Sequence, residues 1–159
     1  YDGGEYGQAV LSRQPIEKLE VHNLSRPGEH LAPTDERIAW LASISQPRPL
    51  PDLLFVGTHL HHVSDDFRVS EANVLNELLA GAVTKREPAV ILCGDFNATP
   101  DSKVAVAMRQ KWEDPTADAG FTYPADKPAA KIDYVIVYAS HPSEKYKNTT
   151  EYLFDKLSK

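Results

Sequence analysis

Cysteine is almost missing from this chain. Cys93 is the one thiol in 159 residues, which excludes an intrachain disulfide and any thiolate metal cluster. It sits in the apolar run Ala89-Val90-Ile91-Leu92-Cys93 and reads as a small buried hydrophobe, with a nucleophilic thiol as the less favoured alternative. Long apolar runs are missing too. No stretch reaches the length that crosses a bilayer, so no transmembrane segment is expected. Basic residues are in deficit: 17 Lys and Arg against 23 Asp and Glu leave a formal charge of -6. That balance argues against strong non-specific binding to nucleic acid, which depends on basic surface. It leaves room for a nuclease with a local basic lip or a bound metal. An initiator Met is absent as well. The chain opens Tyr1-Asp2-Gly3-Gly4, so the expectation is that the native start lies upstream and that the compartment is open.

What is present suits one soluble domain with a real core. Prolines at 47, 49 and 51, and again at 124 and 128, mark loops. Tyr6–Ser12 and Ile16–Leu24 read as strands joined by a turn at Arg13-Gln14-Pro15. Glu36–Ile44 alternates as a strand, with a helix as its rival. Leu53–Thr58 is an apolar strand. Ala72, Leu75, Leu78, Leu79 and Ala82 share one helical face, and Ser64 or Asp65 can cap that helix. Ala89–Cys93 reads as a short buried strand. Thr99 with Pro100 predicts the start of a second helix. Lys131–Tyr138 reads as a further strand, and Thr150–Leu157 as a tail helix. Helices between strands, together with hairpins, predict an α+β layered fold.

Three strand ends carry the chemistry. The first is Gly94-Asp95-Phe96-Asn97. Period-two geometry would place the Asp95 carboxylate and the Asn97 amide on one side, where Asp95 could activate a water and Asn97 could hold it. An ordinary Asx turn explains the same letters. The second is Gly57-Thr58-His59-Leu60-His61-His62. Three histidines in four residues invite a zinc reading, but no Cys or Glu completes a recognisable set. A single catalytic imidazole, His59, is the better functional reading, with His62 packing or bonding locally. The third is Lys131-Ile132-Asp133-Tyr134-Val135. There Asp133 interrupts an apolar stretch, and a buried carboxylate needs a partner. A salt bridge to Lys131 or Arg68 and an orienting role in a site are both open.

In this order, Thr58-His59-Leu60, Gly94-Asp95-Phe96-Asn97 and Lys131-Ile132-Asp133-Tyr134 resemble the motifs of the endonuclease/exonuclease/phosphatase family, to which deoxyribonuclease I belongs. Gly4–Ile16 looks like its hairpin, and Phe121–Pro128 like its approach to the Asp strand. The resemblance covers most of residues 3 to 138 and corresponds to the C-terminal two-thirds of the family domain. It implies one incomplete domain over residues 1–159, part of a four-layer α/β/β/α sandwich.

It also implies a metal-dependent phosphoesterase. Asp95 matches the residue that activates water or binds the metal, and Asn97 the amide that aligns nucleophile and phosphate. His59 matches the histidine facing the phosphate, and Asp133 the aspartate that pairs with a C-terminal histidine. Glu5 is a candidate partner for His59. The cofactor implied is magnesium or manganese, held in part by Asp95 and Asn97. The family's N-terminal Asn and Gln-Glu motifs and its C-terminal Ser-Asp-His motif have no match here, so the main metal ligands would lie outside the chain. Expected partners are a phosphoester (nucleic acid, phospholipid headgroup, inositol phosphate or small diester) and a second copy or another chain covering the exposed edge. The alternative is a degenerate member that acts as a binding or interaction module.

Overall fold

The structure, a computed structural model, describes residues 7–25, 36–86 and 89–138. Their elements run β1 (Ile16–Asn23), β2 (Ile38–Ile44), β3 (Leu53–His59), α1 (Asp65–Arg86), β4 (Ala89–Asp95), α2 (Lys103–Arg109), β5 (Trp112–Glu113) and β6 (Asp133–Tyr138). The strands form one sheet in the order β1-β2-β3-β4-β6-β5. Only β3 and β4 are parallel, because only they are joined across the sheet by a long helix, α1. The other neighbouring pairs are antiparallel.

Alternation sorts side chains to two faces. Ala39 and Leu41 of β2, Leu54 and Val56 of β3, Val90 and Leu92 of β4, and Tyr134 and Ile136 of β6 point to one side. There they pack with Ala72, Leu75 and Leu79 of α1 and Val104 and Met108 of α2. Leu75 and Leu79 are fully buried, and burial of each such side chain contributes about 1.5–3 kcal/mol. The opposite face carries a smaller cluster of Trp40, Ala42 and Ile44 with Val10, Leu53 and Phe55. Gly57 belongs to that face because a Cβ there would come within 2.0 Å of the Trp40 indole. Beyond the cluster this face is open: Leu19, Val21 and Val135 are exposed. One sheet layer and one helix layer are therefore in place, two of the four layers of the expected α+β sandwich.

Local sequence explains most boundaries. Ser64 starts α1: its Oγ accepts from Phe67 N at 3.3 Å, and its carbonyl accepts from Arg68 N. β2 is a strand and not the rival helix, since both its edges pair. Other expectations need correction. Residues 7–12 of the predicted first strand lie in no strand and have no ladder partner among the described residues; Val10 packs on the Trp40 cluster while Leu11 is exposed. Tyr6 and the predicted tail helix lie outside the described residues. The second helix starts later than Thr99. Thr99-Pro100-Asp101 form a turn closed by Ser102 N on the Thr99 carbonyl, and Ser102 is the cap, accepting from Ala105 N at 3.2 Å. Thr99 instead donates to the Asp101 carboxylate.

Candidate active site

The sheet register sets out the site. His59 is the Cα partner of Asp95 across the parallel β3–β4 pair. Asp95 is in turn the partner of Asp133 across β4–β6. Neighbouring strands lie about 4.8 Å apart, and partners on adjacent strands point to the same face. The three side chains therefore form a row across three strand ends, on the face away from the helices. His59 Nε2 and Asp95 Oδ2 are 3.6 Å apart, with both side chains partly exposed.

Asn97 does not follow from the strand's period-two geometry. β4 stops at Asp95, and Asn97 adopts a left-handed backbone at φ 48°, which Asn tolerates better than most residues. Its N–H donates to Asp95 Oδ1 at 2.8 Å, and its Nδ2 donates to the Leu60 carbonyl at 2.9 Å. The left-handed turn therefore ties the β4 end to the β3 end. Leu60 N closes the same link onto the Asp95 carbonyl. The turn is also held from below. Phe96 N donates to the Ile132 carbonyl, its ring stacks on Tyr134 at 4.8 Å, and the Tyr134 hydroxyl donates to the Ala98 carbonyl at 2.8 Å. Burial is the main reason the Tyr134 pKa is pushed up to about 12, with nearby Asp114 adding to it. It thus stays a neutral donor.

Asp133 is exposed, so the expectation of a buried carboxylate with a salt-bridge partner is corrected. Lys131 pairs with Asp114 at 3.2 Å and also donates to Thr116. Arg68 pairs with Asp65. The Asp133 backbone N–H is taken by Thr122 Oγ1 at 3.2 Å. Cys93 lies half-buried, two residues before Asp95 on the same face, and burial raises its thiol pKa. It is thereby protonated and unreactive at neutral pH. Glu5 lies outside the described residues.

His61 and His62 divide their work. His61 is buried, and its Nδ1 accepts from Val63 N and Ser64 N, shaping the entry to α1. His62 bonds to a residue far away in sequence: its Nδ1 lies 3.0 Å from an Arg37 amino nitrogen. Arg37 is the group that motif reading passed over. It precedes β2, and the antiparallel register, with Ala39 opposite Thr58, carries it past the His59 end of β3. Only the strand pairing could have revealed it.

These neighbours set the charge of His59. Its pKa falls below the ordinary value of 6.5, first because of burial, then because of Arg37 and His62, against the opposing pull of Asp95 and Asp133. The imidazole is therefore neutral at pH 7. Removing Arg37 removes a positive neighbour, so Arg37→Ala should raise the His59 pKa. An NMR titration of the metal-free chain tests this; an unchanged or lower value would show that Arg37 does not act on the ring.

The donors that a hard cation could use are oxygens: Asp95 Oδ2, and Asn97 Oδ1, since Nδ2 is committed to Leu60. Among the described residues no group of three or more His, Cys, Asp or Glu is placed to hold a metal ion. Magnesium takes about six oxygen ligands, so these two are part of a set and not a complete one.

The family model for the endonuclease/exonuclease/phosphatase family matches residues 1–155. No curated protein matches. Among solved structures, the chain is similar to a conserved protein of unknown function from Enterococcus faecalis, at 24% identity and TM-score 0.61, covering 77% of this chain and 54% of that one. It is similar to the mannosyl-6-phosphatase of Bacteroides thetaiotaomicron, at 20% identity and TM-score 0.66, covering 79% and 53%. The catalytic domain of human Nocturnin is similar at 18% identity and TM-score 0.58, covering 78% and 48%. This chain thus spans about half the length of these structures, and the likeness is one of fold. With most of its length matched by the family model, the chain belongs to the endonuclease/exonuclease/phosphatase family.

Proposed function

We propose that this chain carries part of the active site of a metal-dependent phosphoester hydrolase, acting on a phosphodiester by in-line attack of water. The observation that carries the reading is the row of His59, Asp95 and Asp133 across three adjacent strand ends. Family membership supports it, and the names of neighbours such as the mannosyl-6-phosphatase support phosphate ester chemistry in general.

In this reading Asp95 orients the attacking water and accepts its proton. The neutral His59 donates a hydrogen bond to a phosphate oxygen, which a ring with a lowered pKa does without repelling a cation nearby. Asn97 is held by its two bonds to Asp95 and Leu60, which leaves Oδ1 to align the nucleophile. Asp133 stands beside Asp95 and would orient a further group brought to the row. A bound magnesium or manganese ion would neutralise phosphate charge. Asp95 and Asn97 are the ligands this chain would offer it, and the others would come from outside the described residues.

The substrate class is a phosphoester small enough to reach an open row: a nucleotide or nucleic-acid end, a phospholipid headgroup, an inositol phosphate or a small diester. The test is hydrolysis of bis(p-nitrophenyl) phosphate by the full-length protein. Turnover is expected with added magnesium or manganese and is lost on chelation. Turnover that survives chelation would overturn the metal dependence. Binding of the diester without turnover would make the chain a binding module.

A further inference from the structure

The turn between β3 and α1 is bonded through both backbone groups of Leu60 and both of His61. The buried peptide groups that leave a strand have no ladder partner and need one elsewhere. At Leu60, the N–H goes to the Asp95 carbonyl, and the carbonyl accepts from Asn97 Nδ2. At His61, the N–H donates to Glu71 Oε2 at 2.8 Å, and the carbonyl accepts from Arg68 Nη1, also at 2.8 Å. Arg68 and Glu71 lie three apart on α1, so both side chains face the same way. Arg68 is 8% exposed and Glu71 fully buried.

Charged groups are costly to bury, and α1 does not need them to dock. Ala72, Leu75 and Leu79 already anchor it to the sheet. The two side chains instead meet the two backbone polar groups of a single residue, His61, two residues after His59. That arrangement links helix to site in sequence: Arg68 and Glu71 hold His61, His61 fixes the Leu60 carbonyl, and that carbonyl holds the Asn97 amide. Asn97 in turn bonds Asp95.

We propose that Arg68 and Glu71 are positioning residues: by clamping both backbone groups of His61 they set the orientation of Asn97 and of the β3 end from which His59 projects. This rests on the reading of the row as a hydrolytic site, but the clamp can be measured without turnover. Amide hydrogen exchange and the Asn97 side-chain NH2 resonance should be recorded for the full chain and for Glu71→Gln, Glu71→Leu and Arg68→Met. A hydrogen bond to a charged group corresponds to roughly ten- to hundredfold in protection. Glu71→Leu should speed exchange at Leu60 and His61 by that factor relative to Leu75 and Leu79, and shift the Asn97 resonance. Glu71→Gln keeps an acceptor oxygen and should restore both to within a few-fold. Arg68→Met, which removes the donor to the His61 carbonyl together with the Asp65 ion pair, should shift the Asn97 resonance and is the second probe should Glu71→Leu fail to fold.

Folded variants that leave Asn97 and the two loop amides unchanged relative to α1 overturn the proposal. So would a loss spread evenly over the whole chain, the mark of a merely stabilising pair. Where turnover is measurable, kcat should fall with KM little changed. A wild-type protein that hydrolyses nothing would sink the proposed function while leaving the exchange result to stand or fall alone.

Discussion

Asp95→Asn should lower phosphodiester turnover by about 10²–10⁴-fold, the range that a positioned proton acceptor contributes. The substitution is chosen because its amide oxygen can still accept from Asn97 N, which now bonds Asp95 Oδ1 at 2.8 Å. The turn should survive while the negative charge is lost. Thermal unfolding should therefore shift little, since one hydrogen bond is worth about 1 kcal/mol even if lost entirely. A second readout is independent of catalysis. Asp95 is the strongest influence raising the His59 pKa, so removing its charge should drive that pKa further down. Turnover within tenfold of wild type would remove Asp95 from the chemistry. A His59 pKa that rises would contradict the geometry itself.

Gly94→Ala should be the most damaging small substitution in the sheet. A Cβ there would lie 2.0 Å from the Thr58 carbonyl oxygen and 3.0 Å from its carbon. Both are backbone atoms, so no side chain can swing away. Thr58 is also tied to the next strand through its Oγ1 on the Ile38 carbonyl at 2.9 Å. Relief must come from separating β3 and β4 one residue before His59 and Asp95. Overpacking of this kind costs about 1–3 kcal/mol and sometimes more, which in a domain of this size lowers Tm by roughly 3–10 °C. Gly81→Ala is the counterpart of opposite sign. It lies in α1 with open space around it, and a helical Gly is about 0.5–1 kcal/mol worse than Ala. Melting curves of the two variants should move in opposite directions. Equal shifts would mean that the β3–β4 contact is not the constraint described.

The parts legible in sequence were those whose cause is local. The apolar runs of β3 and β4, the α1 face and the strand containing Asp133 each announce themselves by periodicity. The three strand-end motifs also supplied the members of the row, because a motif at a strand end needs only the strand. Non-local causes were not legible. Residues 7–12 have the composition of a strand but no partner among the described residues. β5 is two residues long, too short for any pattern. The left-handed turn at Asn97 broke the period-two extrapolation, although the Asp95-to-Asn97 spacing still brought the two together. Asp133 looked buried by its apolar neighbours, yet it stands at the exposed end of β6 on the open face. Arg37 reaches the row only through the pairing of β2 with β3. The clamp of Arg68 and Glu71 depends on which face of α1 meets the loop.

Because the row lies along rungs of one hydrogen-bonded ladder, its geometry is counted in residues. Insert a single residue in the middle of β3, β4 or β6, and the two halves of that strand fall out of step by one face. Where the half away from the row keeps its pairing, His59, Asp95 or Asp133 is delivered towards the helices while the other two stay in place. The same insertion between β5 and β6, where the chain loops from Asp114 to Ile132, would leave all three aligned. Length variation among natural or designed versions of this domain should therefore collect in that connection and spare the three strands.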